Sequence, residues 1–327
     1  MKIEWATHKN IESGNSFGYS LINHHFRNYI TEHGVEISDS SSLAVHLCHP
    51  ENFNPAEGKK NILFTMCESA AVPSVYEDKF KLADAIFTPS KFCADIFRPI
   101  AVGKPMRVSP LGFDGSRFTY KEKSWRPGEQ FVWLWLGAPN ARKGWDLLLE
   151  SWVALFSEIS WMQLFMKTSS YKGEGKVVRK GNITLDSRSY REESLANLYQ
   201  MADGFILPTQ GEGWGLSLLE ALGSGLPIVT TRWGGQLDFL SSGEEEYASF
   251  LDHEIVSISD RDGDKSDGAK SNPISVGSTM SDVMGNYEDF ASLAKRGCEA
   301  AHRDFSWEKV SKTFIDNINS LGWDLDD

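Results

Sequence analysis

P-T-Q-G-E-G-W-G-L-S-L-L-E-A-L-G-S-G-L-P-I-V-T-T, running from Pro208 to Thr231, is the stretch that decides the reading of this chain. The apolar run Gly204 to Leu207 leads into it and predicts a buried strand. A loop bearing Gly211, Gly213 and Gly215 follows, then a predicted short helix from Leu216 to Leu222. Gly223 and Gly225, with Pro227 beyond, stop that helix, and Ile228 to Thr231 is the next predicted strand. The first amides of a helix have no partners inside it and point outward. Glycine lets backbone approach a ligand closely, so the two together make an anion cradle. Two carboxylates, Glu212 and Glu220, flank this cradle. A pure phosphate site needs no acids, but carboxylates accept hydrogen bonds from hydroxyls. Phosphate and hydroxyls at one site point to a sugar nucleotide.

With seven residues between its two glutamates and its A-L-G-S-G-L-P-I-V-T-T exit, the stretch resembles the donor-site signature of retaining GT-B glycosyltransferases of group 1. The resemblance implies an α/β chain with two Rossmann-like, doubly wound domains and a cleft between them. It implies that the backbone of Gly213, Trp214, Gly215 and Leu216 faces sugar and phosphates. It also implies that Glu212 holds donor-sugar hydroxyls and Glu220 the ribose. The alternative is an ordinary strand-to-helix turn of a doubly wound protein.

The chain's 327 residues are enough for two domains of ordinary size, and 41% hydrophobic content fills their cores. No apolar run approaches the roughly 20 residues of a membrane span. The start, M-K-I-E-W-A-T-H, has no signal-peptide core. Cys48, Cys67, Cys93 and Cys298 are scattered without ligand spacing, as expected of buried thiols in a reducing cytoplasm. A net charge of −12 argues against non-specific coating of nucleic acid.

In the first half, Ile3 to Thr7 predicts a strand, and a polar loop with Gly14 and Gly18 leads to a helix over Phe17 to Glu32. The resemblance places that loop, and Gly14 in it, near the diphosphate and the acceptor. Adjacent His24 and His25 read as solvated helix residues. Further strands are predicted at Leu43 to Cys48, Asn61 to Met66, Ile86 to Pro89 and Met106 to Ser109, with helices at Val75 to Leu82 and Lys91 to Phe97. Ser90 is positioned to cap the second helix. His46 and His49 alternate across a strand, which speaks against a metal pair. Met66-Cys67-Glu68-Ser69 ends a predicted strand where many relatives carry a sugar-contacting histidine. Here Glu68 occupies that region, as a rim carboxylate or as a group acting on the sugar or the acceptor hydroxyl.

Tyr120 to Gln130 reads as a linker, and F-V-W-L-W-L (Phe131 to Leu136) as a buried strand. The A-P-N-A-R-K-G-W-D that follows matches the family's diphosphate lysine at Lys143. The arginine usual just after the strand glycine is replaced by Ala138, so Arg142 or Lys167 is expected to supply the second cation. Such cations stabilise a departing diphosphate without a metal. Lys167 to Arg191 holds seven basic residues against two acidic ones, either a solvated loop or a surface facing an anionic acceptor. Five predicted strands end at Gly137, Lys167, Asp186, Pro208 and Thr231, and the candidate ligand groups follow those ends. That edge is where open α/β sheets bind ligands. Ser259 to Asn272 reads as a mobile loop, and its Asp262-Gly263-Asp264 as solvated. Phe305-Ser306-Trp307 opens a last helix that the family would pack back on the first domain.

The expected organisation is an acceptor-side domain over 1–120, joined by the helix at about 306–327, and a donor domain over 121–305. The expected function is retaining sugar transfer from a UDP- or GDP-linked sugar to a hydroxyl on a glycan, lipid, small molecule or modified DNA base. The catalytic candidates are Glu212, Lys143 and Glu68. The donor-binding candidates are Arg142, Lys167, Gly213, Trp214, Gly215, Leu216, Glu220 and Gly14. No metal, no protein nucleophile and no resident cofactor are expected, in a cytoplasmic protein. The alternatives are the same chemistry on a hydroxylated DNA base, and a non-catalytic nucleotide-sugar-binding subunit suggested by Ala138 and Glu68. A dinucleotide dehydrogenase is set aside, because this chain has no G-x-G-x-x-G after its first strand.

Overall fold

The computed structural model describes residues 1–6, 17–168, 175–241, 243, 245–259 and 265–325. Two sheets organise them. The first contains β1 (Lys2–Trp5), β2 (Glu36–Ile37), β3 (Leu43–Leu47), β4 (Lys60–Phe64), β5 (Ala85–Thr88) and β6 (Met106–Val108). These lie in the order β2-β1-β3-β4-β5-β6, all parallel. Every residue of β3 and β5 is buried, because α1 (Phe17–Glu32), α2 (Ser74–Leu82) and α3 (Lys91–Phe97) connect parallel strands across the sheet faces. Ser90 caps α3, its side chain accepting from the Cys93 N–H, as the sequence predicts. The two-residue strand β2 escapes sequence reading, since so short a segment carries no periodicity.

The second sheet contains β7 (Phe131–Leu136), β8 (Met162–Lys167), β9 (Val177–Lys180), β10 (Ile183–Asp186), β11 (Gly204–Leu207), β12 (Ile228–Thr231) and β13 (Ser249–Leu251). Their order is β13-β12-β11-β7-β8-β10-β9, with only the edge strand β9 antiparallel. The helices are α4 (Trp145–Leu155), α5 (Glu192–Met201), α6 (Leu216–Gly223), α7 (Leu237–Leu240), α8 (Pro273–Gly285) and α9 (Tyr287–Asp304). From β7 the chain winds outward one way through β8 and β10. It then crosses back to β11 and winds the other way. The order therefore reverses between β7 and β11, and the loops leaving these two strands border the crevice so formed.

Two expectations are corrected. The stretch read as a mobile loop is part of an antiparallel hairpin, β14 (Glu254–Ser259) with β15 (Lys265–Lys270), paired from Glu254↔Lys270 to Ser259↔Lys265. β15 reads K-S-D-G-A-K and has no β-branched residue; its partner strand and its tertiary contacts make it a strand. Asp262, Gly263 and Asp264 lie outside the described residues. His25 is not a solvated helix residue: its ring stacks on Trp307 at 5.0 Å and its Nε2 lies 3.5 Å from Glu192 Oε1. Burial, with His24 beside it, lowers its pKa to about 4.

The last helix, α10 (Trp307–Asn319), packs on α1 and belongs to the core of the first sheet. Phe314 stacks on Phe64 at 6.0 Å and meets Phe26 and Phe87, and the Asn317 amide donates to Val108 O at 2.9 Å. Where the chain enters and returns from the second domain, Phe113 N–H donates to Phe305 O at 3.0 Å. The four cysteines are free and buried. The Phe113 ring fills the space over Gly223, where an added Cβ would lie 2.2 Å from Phe113 Cε2. Gly223→Ala is expected to destabilise the protein by about 1–3 kcal/mol through overpacking, read as a lower denaturant midpoint at unchanged slope.

Candidate active site

The loop after β7 is built around its capping residue. Asn140 accepts from the Lys143 N–H at 3.2 Å and so tightens a one-turn 3-10 helix, Ala141–Lys143. Gly144 ends it with φ +62°. A Cβ there would lie 2.0 Å from Pro208 O, so only glycine lets this turn lie against the loop leaving β11. Trp135 Nε1 donates to Lys143 O at 3.1 Å, and Gln210 N–H donates to Arg142 O at 2.6 Å. The two loops bordering the crevice are thereby fixed to each other by backbone.

That fixation brings three predicted residues together. Lys143 Nζ donates to Glu212 Oε1 at 2.6 Å, and Arg142 Nη1 lies 3.3 Å from the same oxygen. Thr209 Oγ1 lies 3.0 Å from it as well. Arg142 also reaches Glu68 Oε1 at 3.4 Å and donates to Gly211 O at 2.5 Å. Glu212 is 5% exposed. Burial alone would raise its pKa, but Lys143 and Arg142 outweigh burial and hold it below the ordinary carboxylate value. Burial likewise works against the Arg142 charge, yet Glu68 and Glu212 raise its pKa above the usual guanidinium value. Lys143 is lowered by its burial, with Glu212 opposing. The cluster is an ionised carboxylate shared by two cations, with a second carboxylate from the other domain at its edge.

Lys167 does not join this cluster. Its ammonium donates to Arg188 O at 2.7 Å and Thr168 O at 2.5 Å, and lies 4.6 Å from the Tyr190 ring centroid. Of the two candidates for a second cation, Arg142 is the one beside Lys143. Trp214 is a core residue by its side chain, buried between Phe239 at 5.0 Å and Phe305 at 5.6 Å, so only its backbone is left for a ligand. Gly215 has φ +96° at the N-cap of α6, and Leu216 opens that helix. Gly14 lies outside the described residues.

The glycines of the donor loop here admit protein rather than ligand. A Cβ on Gly211 would lie 1.9 Å from Glu68 O, and one on Gly213 would lie 2.9 Å from Met66 Cβ. Ser90 Oγ donates to Gly213 O at 2.7 Å, and Lys91 N–H to Asp238 Oδ2 at 2.8 Å. The end of β4 and the start of α3 are thus seated on the donor loop, and the cleft is closed.

Glu220 is buried and is bonded to α5 rather than to the charge cluster. Tyr199 OH donates to Glu220 Oε2 at 2.7 Å. Desolvation by burial raises Glu220 to about 7, only partly offset by the tyrosine hydrogen bond. Tyr199, Thr209 and Ser90 were not legible as site residues. Ser90 was visible only as a cap, Thr209 only as part of the quoted stretch, and Tyr199 was not singled out.

Two parallel doubly wound sheets with a closed crevice between their facing loops define the GT-B class of glycosyltransferase fold. Residues 130–254 match the sequence profile of the family described as Glycosyl transferases group 1. The matched segment lies in the second domain, which is similar in sequence to group 1 glycosyltransferases. Mannosylfructose-phosphate synthase of Agrobacterium fabrum is 25% identical over 239 residues, 65% of this chain and 47% of that protein. Sulfoquinovosyl transferase of Arabidopsis thaliana is 31% identical over 87 residues, 27% of this chain and 17% of that protein. The chain thus spans less than half the length of these curated relatives. Among solved structures, sucrose-phosphate synthase from Thermosynechococcus elongatus superposes with a TM-score of 0.63 at 16% identity, over 93% of this chain and 78% of that one. An Anabaena protein solved with UDP-glucose gives 0.59 at 11% identity, over 80% and 72%. No helix among the described residues is long and apolar enough to cross a membrane.

Glu220 yields a pH signature. Its folded pKa, about 7, lies above the 4.5 of an unperturbed glutamate, so the folded state binds the extra proton between these values. The stabilisation is complete below about pH 4.5, is lost as pH rises toward 7, and levels off above it. The total is about 3 kcal/mol at most. Denaturation of wild type minus Glu220→Gln across pH 4.5 to 8 should show this slope, and an unchanged difference would refute the buried-acid assignment.

Proposed function

We propose that this chain transfers a sugar, with retention, from a nucleoside-diphosphate sugar to an acceptor hydroxyl, and that the leaving diphosphate is stabilised by protein cations rather than by a metal. The observation that carries this is the convergence of Arg142, Lys143 and Glu212 in the β7–β11 crevice, inside the region matched by the group 1 profile. Breaking the bond from the anomeric carbon to the diphosphate leaves negative charge on the phosphate oxygens. Preorganised cations in a desolvated site stabilise such developing charge. In the closed state both cations are spent on Glu212. A bound diphosphate would draw them off and free the carboxylate to accept hydrogen bonds from sugar hydroxyls. Glu212, held ionised, is suited to accept only. Glu220 would bind ribose hydroxyls after exchanging its Tyr199 partner. Glu68 lies at the first-domain rim beside Arg142, where an acceptor hydroxyl would approach.

The UDP-glucose complex of the Anabaena structure supports a uridine donor as the first to try. The hydroxylated-DNA alternative rested on the basic stretch. There, Lys167 and Arg188 are engaged locally, while Lys176, Arg179 and Lys180 are exposed at the far edge of the sheet, beyond β10.

A thermal-shift panel of UDP, GDP, ADP and CDP with their sugar conjugates tests the donor reading, since binding to the native state raises the midpoint. One nucleotide family is expected to raise it. With that donor, Lys143→Ala should lose about 100- to 1000-fold in transfer or donor-hydrolysis rate. Near wild-type turnover by the variant would remove Lys143 from the chemistry.

A further inference from the structure

The β14–β15 hairpin lies across the closed cleft and bonds to both walls. On the donor side, Ala269 N–H donates to Gln210 O at 2.9 Å, two residues before Glu212. On the other side, Ala70 N–H donates to Asp267 O at 2.9 Å. Ser266 Oγ accepts from Ala71 N–H at 2.9 Å and lies 3.2 Å from Ala71 O, to which it can donate. Ser266 is buried, with its hydroxyl directed wholly at one residue of the other domain.

Ala70 and Ala71 follow directly on Glu68 and Ser69, in a segment with no helix or strand of its own. Its internal support is slight: Ser69 Oγ donates to Ala71 O at 3.0 Å and Cys67 Sγ to Ser69 O at 3.3 Å. A segment without regular structure takes its position from whatever holds it. Cys93 and Tyr76 of the same domain bond Met66 and Cys67, and the hairpin bonds Ala70 and Ala71 from outside. The small residues of β15 suit that task, since Ser266, Gly268 and Ala269 are buried and bring three backbones together.

Two consequences follow from connectivity. The hairpin is inserted between β13 and α8 of the second domain, so its bonds to 70–71 cross the domain boundary. The donor loop is shut in the same state: Glu212 and Glu220 are 5% and 7% exposed, and Gly211 is packed against Glu68 O. A nucleotide sugar reaches that loop only when the 66–71 segment leaves it, which breaks the bonds to Ser266 and Asp267.

We infer that the β14–β15 hairpin is an interdomain strap, with Ser266 its positioning residue, which sets how readily the cleft opens to the donor and where Glu68 rests when it closes. The inference builds on the donor reading above.

Hydrogen exchange on the full chain, without any nucleotide, tests it first. Ser266→Ala should speed exchange by a factor of about two to ten, the worth of one net hydrogen bond, in 66–71 and in the donor loop 210–215 alike. Ser266→Thr, which keeps the hydroxyl, should restore the wild-type rate. Faster exchange confined to 66–71 and the hairpin would overturn the strap, because a merely local role leaves the donor loop untouched. The paired variant Ala71→Cys with Ser266→Cys, oxidised, should slow exchange in 210–215 below wild type, and dithiothreitol should reverse it. An oxidised pair that leaves 210–215 unchanged also overturns it. Stopped-flow association of UDP, then GDP, supplies the second readout: faster by the same factor in Ser266→Ala, and slowed at least tenfold in the oxidised pair. If wild type binds neither nucleotide, the donor reading fails while exchange still decides the strap.

Discussion

Glu212 is a buried carboxylate with two cations on one of its oxygens, and much of the second domain is arranged to keep it so. Taking one partner from a buried ion pair costs about 3–5 kcal/mol, because the remaining charge is left without water or counter-charge. The cluster therefore requires Arg142 and Lys143 to arrive from one loop and Glu212 from another. Only the strand order, with β7 beside β11, makes those loops neighbours. Asn140 shapes the turn, Gly144 lets it lie on Pro208, and the Gln210 amide binds Arg142 O. Each of these is a backbone-level constraint, so the charges are placed before any ligand is present.

Closure extends the same cluster into the first domain. Glu68 adds a carboxylate to Arg142, and Met66 and Glu68 occupy the space that the absent Cβ atoms of Gly211 and Gly213 leave open. Ser90 caps α3 and binds Gly213 O, so one hydroxyl serves a helix end and a domain contact. The tie is repeated far from the site. Phe314 of α10 sits among Phe26, Phe64 and Phe87, so the end of the chain is part of the first domain's core. His25 stacks on Trp307 and faces Glu192 across the domain boundary. The domains thus meet through polar contacts at the cleft and, behind it, through His25 facing Glu192.

Much of the fold was legible because parallel strands buried on both faces are apolar runs with punctuated ends. Phe131–Leu136, Gly204–Leu207 and Ile228–Thr231 have the bounds read from sequence, as do the helices Phe17–Glu32 and Lys91–Phe97. β9 was not legible: its four residues, V-V-R-K, are all exposed and held only by β10. β15 was read as loop for the same reason, since its strand character comes from β14 and from contacts with two distant segments. Within the site, the acids stood out beside the glycine-rich turn, and the lysine by its resemblance to the family's motif. The choice between Arg142 and Lys167 as second cation did not, because both follow strand ends in the same sheet. Geometry separates them: Lys167 is turned onto the carbonyls of Thr168 and Arg188.

The sequence by itself determined the α/β class, the glycine-rich strand–loop–helix at Pro208 to Gly223, and the residue types that meet there. Those depend on local periodicity, on helix ends and on backbone freedom, all written within a dozen residues. Tertiary structure alone decided that Glu212 is shared by Lys143 and Arg142, that Glu220 is buried against Tyr199, and that a glycine- and lysine-bearing segment becomes a strand joining both domains. Those outcomes turn on burial and on contacts between residues far apart in the chain, such as Ala71 and Ser266, 195 positions apart, and the energy of a charge or a hydroxyl is set by what surrounds it rather than by its place in the chain.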